Sequence, residues 1–215
     1  MAGGVPHLVQ LLQRDDQVDL QFEVAWTLSN VVGGPSLPTM AVIEQGAVPI
    51  FVRLLKSPSA KVREQASWAL GNVAAESCAT RDLVIANGAL RPLLDLYTPS
   101  PNLAALRILT WSICNLFREK PLPQLHLVAA ALRRLIGLLG HPDHEILQQV
   151  CPTLADLSNG TGPHAKTMHL LLAKFGAAHL RKLITYSSSP AHHRCDSHFF
   201  FHTGTSMTQS DIAHW

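Results

Sequence analysis

The sequence predicts an all-α protein in which short helical units stack side by side into an elongated solenoid. The first observation is compositional: 47% of the 215 residues are hydrophobic and 15% are charged, which is enough apolar surface for a continuous core. The second is a Trp-x-x-x-Asn pattern that recurs at intervals of 42 and 43 residues. The third is a shorter apolar element that recurs in phase with it. A regular period of this length decides the fold ahead of local helix propensity.

The Trp-x-x-x-Asn pattern marks the longest helix of each unit. It occurs in "FEVAWTLSN" at 22–30, in "EQASWALGN" at 64–72 and in "RILTWSICN" at 107–115. On a helix of about 3.6 residues per turn the apolar residues of such a segment share an inward face. Trp68 and Asn72 lie one above the other on a neighbouring face, so each Trp-Asn pair is predicted to border the core and face outward.

A second helical element precedes each of these helices. Its copies are "GGVPHLVQLL" at 3–12, "GAVPIFVRLL" at 46–55, "GALRPLLDLY" at 88–97 and "AALRRLIGLL" at 130–139. Breaker-rich turns such as "KSPSA" and "TPSPN" follow it. A further short apolar helix, as in "TRDLVIANG", ends in an Asn-Gly pair that suits a left-handed cap. Each unit is therefore predicted to hold a short helix, a second helix and a longer third helix that ends in the Asn.

A three-helix unit of this length is typical of armadillo repeats, whose period is about 40–47 residues. No unit can bury its own apolar stripe, so neighbours stack and bury it jointly. The predicted fold is an all-α armadillo-repeat solenoid, a right-handed superhelix of about four repeats with a poorly ordered carboxyl-terminal tail. The predicted organisation is armadillo repeats in 1–160, a degenerate partial repeat in 161–186 and a disordered His-rich tail in 187–215.

The third helices of stacked units line one concave surface, where the Trp-Asn pairs form a ladder. Asn amides offer both a donor and an acceptor to the backbone of an extended peptide, which cannot satisfy its own polar groups. Indole faces accept the aliphatic stems of Lys or Arg and attract the cation by about 0.5–2 kcal/mol each. Together the two residue types favour an extended, basic peptide as the ligand.

The repeated phrases resemble the importin-α family of nuclear-localisation-signal receptors. The resemblance lies in "FEVAWTLSNVVGG", "VREQASWALGNVAA", "RDLVIANGAL" and "ILTWSICNLFREK", and it extends from residue 2 to about 160. It implies the repeats of the major signal-binding site, cargo proteins with basic localisation signals as partners, and a place in the cytoplasm and nucleus as an adaptor in protein import.

The resemblance also implies individual site residues. Glu76 stands where the family has the acidic residue that receives the critical lysine of the signal, and Gly34 and Thr39 match positions of the same lysine pocket. Arg118 matches a basic position and is expected to limit the groove. The predicted peptide-binding residues are Trp26, Asn30, Gly34, Thr39, Trp68, Asn72, Glu76, Trp111 and Asn115.

The fourth long helix departs from the pattern. Pro152 stands in the Trp position, Asp156 in the Asn position, and Gln149 where the family tends to be acidic. Proline inside a helix removes a hydrogen bond and clashes with the preceding turn, at about 3 kcal/mol. The ladder is therefore expected to end after Trp111. The chain also shows no basic amino-terminal segment of the kind that binds importin-β in that family, so importin-β binding is not expected.

Several other classes are disfavoured. No apolar run is long enough to predict a membrane span, and no basic patch interleaved with aromatics predicts nucleic-acid binding. The four cysteines lack CxxC spacing, and the cluster of His192, His193, Cys195, His198 and His202 matches no zinc pattern. No phosphate loop, paired carboxylates or nucleophile with a base appears. No catalytic residue, metal ligand or cofactor is predicted.

Two functions stay open from the sequence. The first is binding of nuclear localisation signals by an importin-α-like adaptor. The second is a truncated armadillo scaffold that uses the same groove for partner peptides without supporting import. Importin-β binding would distinguish them.

Overall fold

The chain is described from a computed structural model that covers residues 2–34, 36–97, 102–118, 120–159 and 162–175. Within these ranges the secondary structure is helical and contains no strand, which confirms the all-α prediction. Two 3-10 turns, Ala2–Gly4 and Leu138–Gly140, flank or join the α-helices. The α-helices are α1 (Val5–Leu11), α2 (Val18–Val32), α3 (Ser36–Glu44), α4 (Ala47–Leu54), α5 (Ala60–Glu76), α6 (Cys78–Ala86), α7 (Leu90–Asp95), α8 (Leu103–Asn115), α9 (Leu125–Gly137), α10 (His144–Ser158) and α11 (Pro163–Phe175).

The long third helices α2, α5, α8 and α10 stack in chain order. Helix α5 packs on α2 at one side and on α8 at the other, and α8 packs on α10. The inward face of α5 is buried, with Val62, Ala66 and Leu70 at most 1% exposed. The repeat period therefore places the Trp-x-x-x-Asn helices next to one another, as predicted.

Local signals explain where the helices of the second unit begin and end. Ser59 caps α5 through its hydroxyl, which accepts from the backbone N–H of Val62 at 3.5 Å. Ser77 is extended, so it ends α5, and it forms a capping box with Thr80 at the start of α6. Gly88 follows α6 with a φ of 78°, the left-handed conformation predicted from the Asn-Gly pair.

The last unit differs from the three-helix prediction in two ways. Between α8 and α10 the described residues form one long helix, α9, where the pattern predicts a short helix followed by a second one. Helix α10 runs through Pro152 without a break, although proline was expected to disrupt it. The reason is packing, because Val150 and Leu154 are fully buried on either side of the proline and anchor both halves of the helix in the core.

The predicted boundaries within 161–215 stay predictions. Helix α11 begins inside the segment assigned to a degenerate repeat, and it packs on α9 and α10. The His-rich segment 187–215, with its histidines and Cys195, lies outside the described residues.

Candidate functional site

The face predicted to be concave carries rows of side chains spaced four residues apart along the third helices. On α5 the row is Glu64, Trp68, Asn72 and Glu76. Residues at this spacing lie above one another on a helix, so the indole and the amide stand between two carboxylates. The equivalent row on α2 begins with Phe22, whose ring has the Lys61 ammonium of α5 at 6.0 Å from its centroid.

The ladder asparagines Asn72 and Asn115 each donate a hydrogen bond to the third helix of the preceding repeat. The Asn72 Nδ2 donates to the Ser29 carbonyl at 2.9 Å, and the Asn115 Nδ2 donates to the Gly71 carbonyl at 3.2 Å. In both cases the acceptor is the residue just before the preceding ladder Asn. An amide has two N–H donors and one carbonyl acceptor. Each bond therefore orients the amide and leaves one N–H and the oxygen for another partner.

The Asn115 amide oxygen has no such partner. It is buried, and within the described part of the chain it accepts no hydrogen bond. The residue as a whole is 2% exposed. An unsatisfied buried acceptor costs about 1–3 kcal/mol, so this oxygen is suited to a donor that a ligand or a water supplies.

Trp68 and Trp111 stack directly on one another. Their ring centroids are 4.9 Å apart and the planes differ by 27°. Trp111 is 7% exposed, whereas Trp68 is only half-buried. Gly71 makes this packing possible, because a Cβ there would lie 2.4 Å from a ring carbon of Trp111. The third pair of the ladder is therefore largely covered by the second.

The first pair has a different environment. Trp26 is half-buried, and its Nε1 donor is enclosed but has no hydrogen-bond partner within the described residues. Asn30 is exposed. Gly33 lies against Asn72, since a Cβ at Gly33 would be 2.9 Å from the Asn72 Nδ2. Small size at this position thus lets the second asparagine reach the Ser29 carbonyl.

The residues matched to a lysine pocket lie around the end of α2. Thr39 is fully buried and its hydroxyl donates to the Val32 carbonyl at 3.1 Å, which leaves its oxygen as an acceptor. Gly34 follows α2, and its N–H donates to the Val31 carbonyl at 3.3 Å. Glu76, the last residue of α5, is half-buried and makes no hydrogen bond or ion pair among the described residues. The structure brings neither Gly34 nor Thr39 into hydrogen-bond contact with it.

Glu64 lies in the same row as Trp68 and Asn72 and is not among the residues predicted from the sequence. Burial raises the pKa of its carboxyl. The positive charges of Arg63 and Lys61 and a hydrogen bond with Asn102 act in the opposite direction. The sequence does contain the pattern that places Glu64 in this row. Glu64 precedes Trp68 by four residues, the same interval that separates Asn72 from Glu76.

The α8–α10 end of the face carries charges of both signs. The Arg118 guanidinium donates to the Gln149 Oε1 at 2.8 Å and so spans the gap between the two helices. Arg107 pairs with Asp143 at 2.6 Å and with Glu145 at 2.8 Å. Asp156 takes the ladder position, and an ionised carboxylate has no N–H to give to the helix before it. The backward bonds of the asparagines accordingly end at Asn115.

Comparison with known proteins agrees with this architecture. The family model of the armadillo/beta-catenin-like repeat matches residues 1–33 and 35–75. Importin subunit alpha-1b of Oryza sativa subsp. japonica is 50% identical over 159 residues, which cover 74% of this chain and 30% of that protein. Importin subunit alpha-2 of Arabidopsis thaliana is 50% identical over 160 residues, with the same shares covered. This chain is an importin-α-like armadillo-repeat protein.

The fold prediction is thereby confirmed. A designed armadillo repeat protein, solved in complex with the peptide (KR)4, superposes with a TM-score of 0.68 at 24% identity, over 84% of this chain and 79% of that one, which is a likeness of fold. The importin-α-like chain spans about 30% of the length of the curated relatives named above.

Two further observations concern the described residues as a whole. Within the described ranges, no group of three or more His, Cys, Asp or Glu side chains could hold a metal ion. Across the same part of the chain, no helix is long and apolar enough to cross a membrane. The groups that this face presents are oriented amides, indole rings and the carboxylates of α5.

Proposed function

We propose that the concave face binds extended Lys/Arg-rich peptides of the nuclear-localisation-signal type, as an importin-α-like adaptor in protein import into the nucleus. The observation that carries the proposal is the pair of oriented amides. Asn72 and Asn115 are each held by one N–H on the preceding helix, and the half-buried Asn72 keeps its other N–H and its oxygen for a ligand, whereas Asn115 is 2% exposed. An oriented amide of this kind suits the alternating donors and acceptors of an extended backbone.

The two carboxylates of α5 that flank the Trp68–Asn72 pair support a basic ligand. Glu64 and Glu76 stand one turn before Trp68 and one turn after Asn72, so a Lys or Arg side chain laid over the indole has a carboxylate within reach in either direction. The raised pKa of Glu64 reflects burial, and an approaching ammonium group would offset that cost. Glu76 has no partner in the described chain to compete with a ligand.

The experiment is a fluorescence-anisotropy titration of the full chain with a labelled (Lys-Arg)4 peptide. The control peptide carries Gln at every basic position. A hydrogen bond to a charged group contributes about 1.5–3 kcal/mol, so Glu76→Gln should weaken binding about ten- to a hundredfold. Glu44→Gln is the matched control, because Glu44 is an exposed carboxylate at the end of α3. It should leave the affinity unchanged.

The possible outcomes distinguish the role of Glu76, peptide binding by the groove and the role in import. Equal affinity of the two variants would make Glu76 an ordinary surface carboxylate and reduce the proposal to a peptide-binding armadillo groove. Absence of saturable binding would overturn the groove function itself. A role as an import adaptor, with residence in the cytoplasm and nucleus, is tested separately by import of a fluorescent basic cargo in permeabilised cells. Peptide binding without import would favour the alternative of a scaffold that holds partner peptides.

A further inference from the structure

The turn between α4 and α5 holds a Ser-Pro pair that peptide binding does not use. The turn reads "KSPSAK" from Lys56 to Lys61. Lys56, Pro58 and Lys61 are exposed, and Ser57 and Ser59 are half-buried. Proline fixes its own φ and disfavours helical backbone at the residue before it. Ser57 accordingly lies outside both helices, in a turn at the surface.

The two serines of this turn make different contacts. The Ser59 hydroxyl caps α5 by accepting from the Val62 N–H. The Ser57 hydroxyl accepts from the Ser59 N–H at 3.3 Å, and its own O–H donates to no group among the described residues. A change at Ser59 would remove the cap of a helix, whereas a change at the Ser57 oxygen affects one long hydrogen bond. Ser57 is therefore the serine of the turn that the fold leaves available for modification.

An arginine already lies against the backbone of the Ser-Pro pair. One terminal nitrogen of the Arg63 guanidinium donates to the Ser57 carbonyl at 2.8 Å and to the Pro58 carbonyl at 2.9 Å. A guanidinium has five N–H donors, and the other three of Arg63 make no hydrogen bond within the described part of the chain. Such a planar group binds two oxygens of a phosphate side by side. Arg63 is thus held in place with donors to spare.

The charge around the turn is positive. Lys56 and Lys61 flank the Ser-Pro pair, and Arg63 follows two residues later. The nearest carboxylate along the chain is Glu64, and burial raises the pKa of that carboxyl. A dianion on Ser57 would therefore meet three cations of the same segment, against one carboxylate.

The fourth unit carries an anion in the corresponding turn. Pro142 and Asp143 precede α10 in the way that Pro58 and Ser59 precede α5. The Asp143 carboxylate accepts from the Arg107 guanidinium at 2.6 and 3.2 Å. The repeat thus accommodates an anion bonded to an arginine at this turn. In the second unit the arginine comes from α5 itself, and the turn has serines in place of the carboxylate.

We propose that Ser57 is a phosphorylation site for a proline-directed serine kinase, and that Arg63 binds the phosphate. The kinase transfers the γ-phosphoryl group of ATP to the Ser57 Oγ. A serine O–P bond forms, the bond between the γ-phosphorus and the β-phosphate oxygen breaks, and ADP leaves. The hydroxyl proton passes to the catalytic base of the kinase. The phosphate then ties the turn to α5 through Arg63, and this inference is independent of the proposed function.

The first experiment locates the phosphate. The full chain is incubated with a purified mitogen-activated protein kinase and ATP, and the product is mapped by tandem mass spectrometry. Phosphate is expected on Ser57 and should be absent from Ser57→Ala. Pro58→Ala keeps the hydroxyl but removes the proline, so the rate at Ser57 should fall at least about tenfold. Ser59→Ala is the matched control and should still be phosphorylated at Ser57.

The second experiment tests Arg63 by phosphorus NMR of the phosphorylated chain. A phosphoserine has a second pKa of about 6, and a nearby cation lowers it because the dianion is favoured. The pKa of the phosphate should be about 0.5–1 unit lower in the wild type than in Arg63→Gln. Arg63→Lys should restore part of the shift, since it keeps the charge without the planar fork. Lys56→Gln, which removes an exposed cation, should change the pKa less than Arg63→Gln.

Thermal unfolding gives an independent measure of the same contact. Phosphorylation should raise the unfolding midpoint of the wild type by about 1–4 °C, and by less in Arg63→Gln. No phosphate on Ser57, or phosphate confined to the pairs that begin at Thr98, Ser100 and Ser189, would overturn the site. Equal phosphate pKa values in the wild type and Arg63→Gln would overturn the role of Arg63.

Discussion

Helix α5 meets its two neighbours through the same repeat rule but with different results. Towards α2, the contact is an amide on a backbone carbonyl, with Gly33 beside it, and the Trp26 indole keeps an enclosed donor without a partner in the described chain. Towards α8, an equivalent amide bond from Asn115 is joined by ring-on-ring packing of Trp111 on Trp68 over Gly71. The shared motif sets which residues of neighbouring third helices face each other. The side chains around the motif decide whether the two indoles of neighbouring helices stack.

The largest expected effect on stability distinguishes the two glycines. An added Cβ at Gly71 would lie 2.4 Å from the Trp111 ring, and at Gly33 it would lie 2.9 Å from the Asn72 amide nitrogen. Overpacking costs about 1–3 kcal/mol, while the change from Gly to Ala in a helix returns up to about 1 kcal/mol. Gly71→Ala should therefore lower the free energy of unfolding more than Gly33→Ala, because a ring held under Trp68 moves less easily than an amide.

Urea unfolding of both variants, followed by helical circular dichroism, measures this difference. Gly3→Ala serves as a control, since nothing lies within 4 Å of a Cβ there. Equal losses at Gly33 and Gly71 would contradict the distinction between an open and a closed interface.

A smaller effect is expected at the α8–α10 interface, where charge replaces ring packing. Asp143 caps α10 by accepting from the Ile146 N–H, and its hydrogen bonds with Arg107 lower the pKa of its carboxyl. Asn is as good an N-cap as Asp, so Asp143→Asn removes the charge and keeps the cap. The variant should lose about 1 kcal/mol at neutral pH.

The pH dependence of that loss follows from the direction of the pKa shift. A carboxyl whose pKa is lower in the folded state stabilises the fold above its unfolded pKa, and the contribution disappears as the pH falls through the folded value. The difference between wild type and Asp143→Asn should therefore be full at pH 7 and vanish below the pKa of Asp143. A difference that persists at low pH would mean that the variant acts through something other than the ion pair.

The smallest expected effect on stability concerns α10, where Pro152 and Asp156 replace the fourth Trp-Asn pair. Burial raises the pKa of Asp156, against the opposing influence of Lys120 and Arg118, so its ionised form destabilises the fold as the pH rises. Asp156→Asn removes that charge and supplies an amide that can donate to α8 in the way that Asn115 donates to α5. A gain of about 0.5–1 kcal/mol is expected in thermal unfolding at pH 7.

Restoration of the indole extends this test to binding. With Pro152→Trp added to Asp156→Asn, a longer basic peptide should bind more tightly, because α10 already runs through position 152 as a helix. Unchanged affinity at higher stability would mean that α10 does not border the ligand.

Periodicity predicted the helices, their order and the row that carries Trp68 and Asn72, because these depend on spacing along the chain alone. It did not predict the burial of Trp111, since the distance between two repeats depends on a missing Cβ at Gly71 and on the hydroxyl of Ser112. Nor did it predict that α10 would pass through Pro152. Local propensity argued against that helix, and buried neighbours on both sides overrode it.

The backward direction of the asparagine bonds gives the groove a polarity. Ser29 orients Asn72, and Gly71 orients Asn115, but neither asparagine supports the one before it in return. Loss of the acceptor on α2 would therefore remove the bond that orients Asn72, whereas loss of Asn115 removes no bond that orients an earlier asparagine, although α8 still contacts α5 through the stacking of Trp111 on Trp68. The amides of Asn72 and Asn115 are thus each oriented by the repeat before them.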